Sequence, residues 1–136
     1  MVATVVTVRA VVSREPSACW RAFTDAALFG AWVPGLRTAR VIQAGADGLP
    51  TEILFEFGAS RTYSLVYDYD LAAREVRWHA RSGKRDAVTG FARFDALDDG
   101  TSVTYGLEQN DGRVEEAEVE TMLGAFVQWM QTSQRR

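Results

Sequence analysis

The chain has 136 residues, 47% of them hydrophobic and 24% charged, with a formal net charge of -3. That length fits one domain, residues 1–136, able to bury roughly two thirds of its unfolded surface without staples. The mild acidity argues against nucleic acid as a partner, because a phosphate groove needs a basic face, and the single cysteine, Cys19, rules out an internal disulfide and points to a reducing compartment, the cytoplasm.

The first residues, Met1–Arg9, carry no basic segment ahead of their apolar residues, and Thr4, Thr7 and Arg9 interrupt them at strand spacing. They do not read as a signal peptide, and no run in the chain approaches the length of a membrane span. A first strand is expected over about residues 3–12. It puts Val6, Val8, Ala10 and Val12 on one face and Thr7 and Arg9 on the other. Pro16 suits the first turn of a helix, where its missing N–H costs nothing. Ala18, Cys19, Ala22 and Phe23 then form one apolar stripe at helical spacing. Asp25 is placed to cap a second short helix bearing Leu28, Phe29 and Trp32, which Pro34-Gly35 ends.

From residue 38 the period changes to two. Ile53, Phe55 and Phe57 alternate with Glu52, Leu54 and Glu56, and a turn follows at Gly58-Ala59-Ser60. Tyr63, Leu65, Tyr67 and Tyr69 alternate with Thr62, Ser64, Val66 and Asp68. After loops at 70–74 and 82–84, the same rule gives Val76, Trp78 and Ala80, then Val88, Ala92 and Phe94, as inner residues. Asp98-Asp99-Gly100 is a hairpin signal leading into Val103, Tyr105 and Leu107. Each strand has an apolar, aromatic-rich face and a polar one, the pattern of an antiparallel sheet covered on one side. The segment 39–44 has no clear phase, so the direction of Arg40 and Gln43 stays open. The cover is a long helix over about residues 114–133, where Val119, Met122, Leu123, Phe126, Val127 and Met130 recur at three- and four-residue spacing.

The residues that carry chemistry are sparse. His79, the one histidine, alternates onto the wet face with Arg77 and Arg81, which removes any Ser-His-Asp or Cys-His arrangement. No metal site and no cofactor is expected from one histidine and one cysteine. Cys19 reads as a small buried hydrophobe. The carboxylates, Glu52 and Glu56 among them, fall on outward faces, and no pair is placed inside for acid–base work. Gly45–Gly48 has neither the spacing nor the following helix of a phosphate cradle. What remains is the aromatic interior. The inner residues Phe55, Phe57, Tyr63, Leu65, Tyr67, Trp78, Phe94 and Tyr105, with Trp32 ahead of them and Met122, Phe126 and Met130 on the covering helix, are the candidate ligand-binding set. Tyrosines on an inner face need partners for their hydroxyls, which a cavity holding water or a polar ligand group supplies.

The segment Glu15–Asp25, then Leu28 through Trp32-Val33-Pro34-Gly35, resembles the START-like, or Bet v 1-like, superfamily. So do the strand pair around Asp98-Asp99-Gly100 and the closing helix. Within that superfamily the likeness is to the polyketide cyclase/dehydratase and lipid-transport group. The resemblance implies an α+β helix-grip fold: a curved seven-stranded antiparallel sheet wrapped on a long C-terminal helix, with two short helices between strands 1 and 2. It also implies a hydrophobic cavity. The function it implies is binding or carriage of a small hydrophobic molecule, aromatic, lipid or polyketide-like, by a monomer or homodimer. The alternatives are a cyclase/dehydratase, in which tyrosine hydroxyls and Arg40 polarise a carbonyl, and an interaction module of the ATPase-activator type. Bicyclic or tricyclic phenols are the expected probes of such a cavity.

Overall fold

The alternation of apolar and polar residues is realised as one antiparallel sheet of seven strands in the computed structural model, which describes residues 4–57, 61–80, 89–109 and 116–133. β1 (Thr4–Val12) leads into α1 (Pro16–Thr24), a 3-10 turn (Ala26–Leu28) and α2 (Phe29–Trp32). Then β2 (Leu36–Ala44), β3 (Pro50–Phe57), β4 (Arg61–Asp70), β5 (Glu75–Ala80), β6 (Thr89–Leu97) and β7 (Gly100–Gln109) follow one another as antiparallel neighbours, before α3 (Glu116–Ser133). The spatial order β1-β7-β6-β5-β4-β3-β2 makes β1 and β2 the two edges. The short helices lie between them in the chain, and α3 packs on the sheet. This is the helix-grip arrangement.

Local chemistry sets the corners. Pro16 opens α1 behind an extended Glu15, and Asp25 Oδ1 accepts the Ala27 N–H at 3.0 Å, so the cap serves the 3-10 turn that precedes α2. Gly100 begins β7 because a Cβ there would lie 2.2 Å from the Val12 carbonyl oxygen. The glycine is required by the close approach of β1, not only by the turn. Just beyond, the Thr101 hydroxyl donates to the Arg14 carbonyl at 2.6 Å, and the Arg14 guanidinium donates to the Met130 carbonyl at 3.1 Å. The β1–α1 corner is thereby tied to the last turns of α3.

Register fixes the inner face. Val8, Tyr105, Ala92, Val76 and Tyr69 form one row across five strands, all turned toward the helices. From α3, Val119, Leu123, Phe126 and Met130 are buried at the expected spacing. His79 is exposed. Glu52 shares its row with Val66 and His79 on the outer face, yet it is buried, unlike the exposed Glu56. Flanking strands on both sides cover a carboxylate stem that alternation alone would leave wet. On β2 the register shifts between Leu36 and Thr38, between Val41 and Gln43, and again at Ala44, and Arg40 and Gln43 are both exposed. These bulges are why the sequence there shows no steady phase. The expected turn at 58–60 and the loop at 82–84 lie outside the described residues. No helix among the described residues is long and apolar enough to cross a membrane.

Phe126 has no exposed surface and meets the rings of Trp32, Phe23 and Phe94 at 4.9, 5.5 and 6.3 Å. Phe126→Ala is expected to cost about 3–5 kcal/mol in urea denaturation; an unchanged midpoint would show that α3 does not grip the sheet.

Candidate ligand cavity

The helices do not fill the concave side of the sheet. Between α1, α2 and the middle strands lies a cavity of about 140 Å³. Its floor and walls are buried: Phe23 from α1, Phe29 and Trp32 from α2, Phe55 from β3, Leu65 and Tyr67 from β4, Trp78 from β5 and Tyr105 from β7. Val33, Phe57, Tyr63, Leu107 and Met122 complete the lining and are only half-buried, so they mark the mouth. The rings brace one another. Phe55 stacks on Phe29 at 6.0 Å, and Trp78 lies between Tyr67 and Tyr105 at 5.9 and 5.8 Å.

Depth at the centre depends on a missing side chain. Gly90 is the partner of Trp78 on β6, and a Cβ there would lie 2.7 Å from Trp78 Cζ2 and 2.6 Å from the Gly106 carbonyl oxygen. The indole can settle onto the sheet only because residue 90 is glycine.

The polar character of the cavity is one-sided. Among the described residues, no Asp, Glu, Lys, Arg, His or Cys lines it. Trp32 Nε1 is buried with no hydrogen-bond partner. Tyr69, outside the lining, donates its hydroxyl to the Pro50 carbonyl at 2.5 Å, whereas the Tyr67 and Tyr105 hydroxyls bond to no other described residue. Burial raises the pKa of both Tyr67 and Tyr105, and the neighbouring phenols push the same way. Both stay protonated and available as donors. An unpaired buried donor costs about 1–3 kcal/mol, a cost that falls here on the Trp32 indole N–H. The described lining residues include no carboxylate, imidazole or thiol to serve as a base or nucleophile. Cys19 is buried away from the cavity, and burial raises its thiol pKa despite the Thr101 hydrogen bond and the Arg14 charge.

Of the residues read from sequence as candidates, Trp32, Phe55, Phe57, Tyr63, Leu65, Tyr67, Trp78, Tyr105 and Met122 are brought together around the cavity. Phe94, Phe126 and Met130 are not: at 1%, 0% and 1% exposure they form the solid core beneath it. Alternation assigns a face, not a depth. Phe23, Phe29, Val33 and Leu107 also line the cavity without having been singled out. Leu107 was legible from its place in the inner alternation of β7. Phe23 and Phe29 carried only a helical stripe, which says that a residue is buried and not what it faces. Arg40 is exposed and no part of the lining, so it has no access to a bound carbonyl.

No family model matches the sequence, and no curated protein does. Solved structures match closely in shape. A START superfamily protein from Mycobacterium smegmatis superposes with a TM-score of 0.70 at 14% identity, covering 96% of this chain and 93% of the other. The chain has the START-like fold. The Zhui aromatase/cyclase from Streptomyces sp. R1128 shares it at a TM-score of 0.68 and 16% identity, over 98% of this chain and 89% of that one. A truncated norcoclaurine synthase from Thalictrum flavum shares it at 0.71 and 13%, over 93% and 92%. Identities this low establish the START-like architecture and leave the cavity chemistry to the residues of this chain.

Two outcomes follow from the geometry. Gly90→Ala is expected to cost about 1–3 kcal/mol by overpacking and to lift Trp78 into the cavity; a crystal structure of the variant with Trp78 unmoved would contradict that. The second concerns alkali. Tyr67 and Tyr105 hold their protons more tightly than unfolded tyrosines, whose pKa is about 10. Their contribution is fully present below pH 10 and is lost as pH rises beyond it, by about 1.4 kcal/mol per pH unit for each. Between pH 9 and pH 11, Tyr105→Phe should therefore lose about 1 kcal/mol less stability than the wild type in urea melts.

Proposed function

We propose that the protein binds a small hydrophobic molecule, about one ring in size, in this cavity and carries it without chemical change. The observation that carries the reading is the cavity itself: about 140 Å³, walled by aromatic and aliphatic side chains, with no charged group among the described lining residues. Apolar cavities of about 150 Å³ accept benzene-sized ligands and stay dry when empty. The volume suits one ring in place of the bicyclic or tricyclic phenols that the sequence suggests. A larger ligand would need the half-buried mouth residues Phe57, Tyr63 and Met122 to move.

A cyclase or dehydratase needs a group that moves a proton near neutral pH. The described lining residues offer only tyrosines for that task, burial raises the pKa of Tyr67 and Tyr105, and Arg40 stands outside. Binding without catalysis is therefore the reading we adopt, although structural neighbours include an aromatase/cyclase and a norcoclaurine synthase. An outer-surface interaction module finds less support. The large exposed apolar residues among those described, Val11, Val41, Ile42, Leu71 and Leu97, fall on four separate segments.

Calorimetric titration with toluene and with 1-naphthol tests the proposal. Toluene is expected to bind with a Kd of about 0.1–1 mM, equivalent to about -5.5 to -4 kcal/mol, and 1-naphthol more weakly. At ten times its Kd, toluene should also raise stability by about 1.4 kcal/mol. If neither compound binds, and melting is unchanged by both, the cavity is not a ligand site.

A further inference from the structure

We infer that the protein has a second site, outside the cavity, for a small aromatic carboxylate, held by Arg14 and Arg21 in a cleft between α1 and the end of α3. The inference does not rest on the ligand-binding reading above. The cleft has a volume of about 130 Å³, enough for one ring. Ala18, Arg21 and Ala22 of α1 line it, whereas Phe23 of the same helix turns to the cavity.

Three observations lead there. First, two arginines line one cleft, and neither forms an ion pair with a described residue. Asp25, one turn beyond Arg21, has its Oδ1 committed to the Ala27 N–H. In a chain of net charge -3 this pair of cations is a local feature and not part of a general basic surface. Second, Arg14 is held in place. Its guanidinium donates to the Met130 carbonyl at 3.1 Å, and the adjacent Ser13 N–H donates to Gln131 Oε1 at 3.0 Å, so the corner is pinned to α3. A guanidinium carries five N–H donors, and the bond to Met130 leaves others for a ligand. Arg21 is exposed and has no described partner, so it can close over a bound carboxylate without breaking another bond. The planar fork of arginine matches the two oxygens of a carboxylate. Third, the rest of the cleft is apolar. The small side chains of Ala18 and Ala22 leave the space, and half-buried Leu28 and Trp129 wall it. A bare inorganic anion would leave that surface wet, whereas a carboxylate on a ring covers it and meets the guanidinium groups together.

Benzoate, benzyl alcohol and acetate separate the charge from the ring. Uniformly nitrogen-15-labelled protein at pH 7 is titrated with each while the four tryptophan indole resonances are followed, with Trp129 identified by sequential assignment. Benzoate is expected to shift the Trp129 resonance with a Kd of about 1–10 mM. Benzyl alcohol, which lacks the charge, and acetate, which lacks the ring, should each bind there at least about threefold more weakly. Entry of benzyl alcohol into the cavity would show on Trp32 and Trp78 instead. Raising sodium chloride from about 20 to about 200 mM should weaken benzoate and leave benzyl alcohol unchanged. Arg21→Gln should weaken benzoate about threefold or more without moving the urea midpoint, and Arg21→Lys, which keeps the charge and loses the fork, should fall between. Benzoate affinity unchanged in Arg21→Gln, or a Trp129 response to benzyl alcohol equal to that to benzoate, would overturn the anion site. Acetate binding as tightly as benzoate would overturn the aromatic body. A Trp129 resonance that none of the three moves would remove the site and leave the cavity reading untouched.

Discussion

Phe23 is the side chain on which helices, sheet and cavity converge. From one position on α1 it makes ring contacts with Trp32 of α2, Trp78 of β5, Phe94 of β6, Tyr105 of β7 and Phe126 of α3, at 5.4, 5.8, 5.5, 6.1 and 5.5 Å. Two of these contacts, to Phe94 and Phe126, belong to a core with no exposure to spare. Trp32, Trp78 and Tyr105 belong to the cavity wall. Phe23 is thus both the roof of the solid core and the floor of the empty space. Aromatic pairs in tilted or edge-on contact resist sliding, so the ring holds α1 in register over the sheet. The packed half of the molecule makes the open half affordable, since an unfilled volume of this size costs stability that other burial must offset.

Much of this was legible in the residues. Period-two alternation from Ile53 to Leu107 assigned the inner face of β3 to β7, and the spacing of Val119, Leu123, Phe126 and Met130 assigned the buried face of α3. What eluded the pattern did so for identifiable reasons. Phe55 and Phe94 look alike as inner aromatic residues of strands. One lines a cavity and the other is packed solid, because Trp20 and Phe23 of α1 and Phe126 of α3 cover Phe94, whereas Phe55 meets Phe29 of α2. Glu52 obeys alternation and is nonetheless covered by its neighbours. The phase of β2 could not be read because its bulges abolish a single phase. The cavity volume, which decides between one ring and several, is a difference between large packed volumes and leaves no local mark on a sequence.

The START-like fold separates what holds the structure from what selects a ligand. Side chains on β3, β4, β5 and β7 reach the cavity from alternate positions, while the intervening residues form the outer face and the backbone ladder is common to both. A lining residue can change without disturbing the ladder, so the same architecture at identities of 13–16% accommodates different chemistry. In this chain the described lining residues carry no charge.

The irregularity of β2 has a consequence for how the molecule behaves among copies of itself. This strand is nine residues long, lies at the edge of the sheet, and shows Val41 and Ile42 to solvent at 44% and 46% exposure. A straight edge of that kind would template the addition of a further strand from another chain. Successive register shifts at Thr38, Gln43 and Ala44 put its outward donors and acceptors out of step with any regular ladder. Bulges that blurred the reading of the sequence thereby disfavour such addition: the longest run in steady register is Thr38–Val41, four residues, after which an incoming strand would lose step.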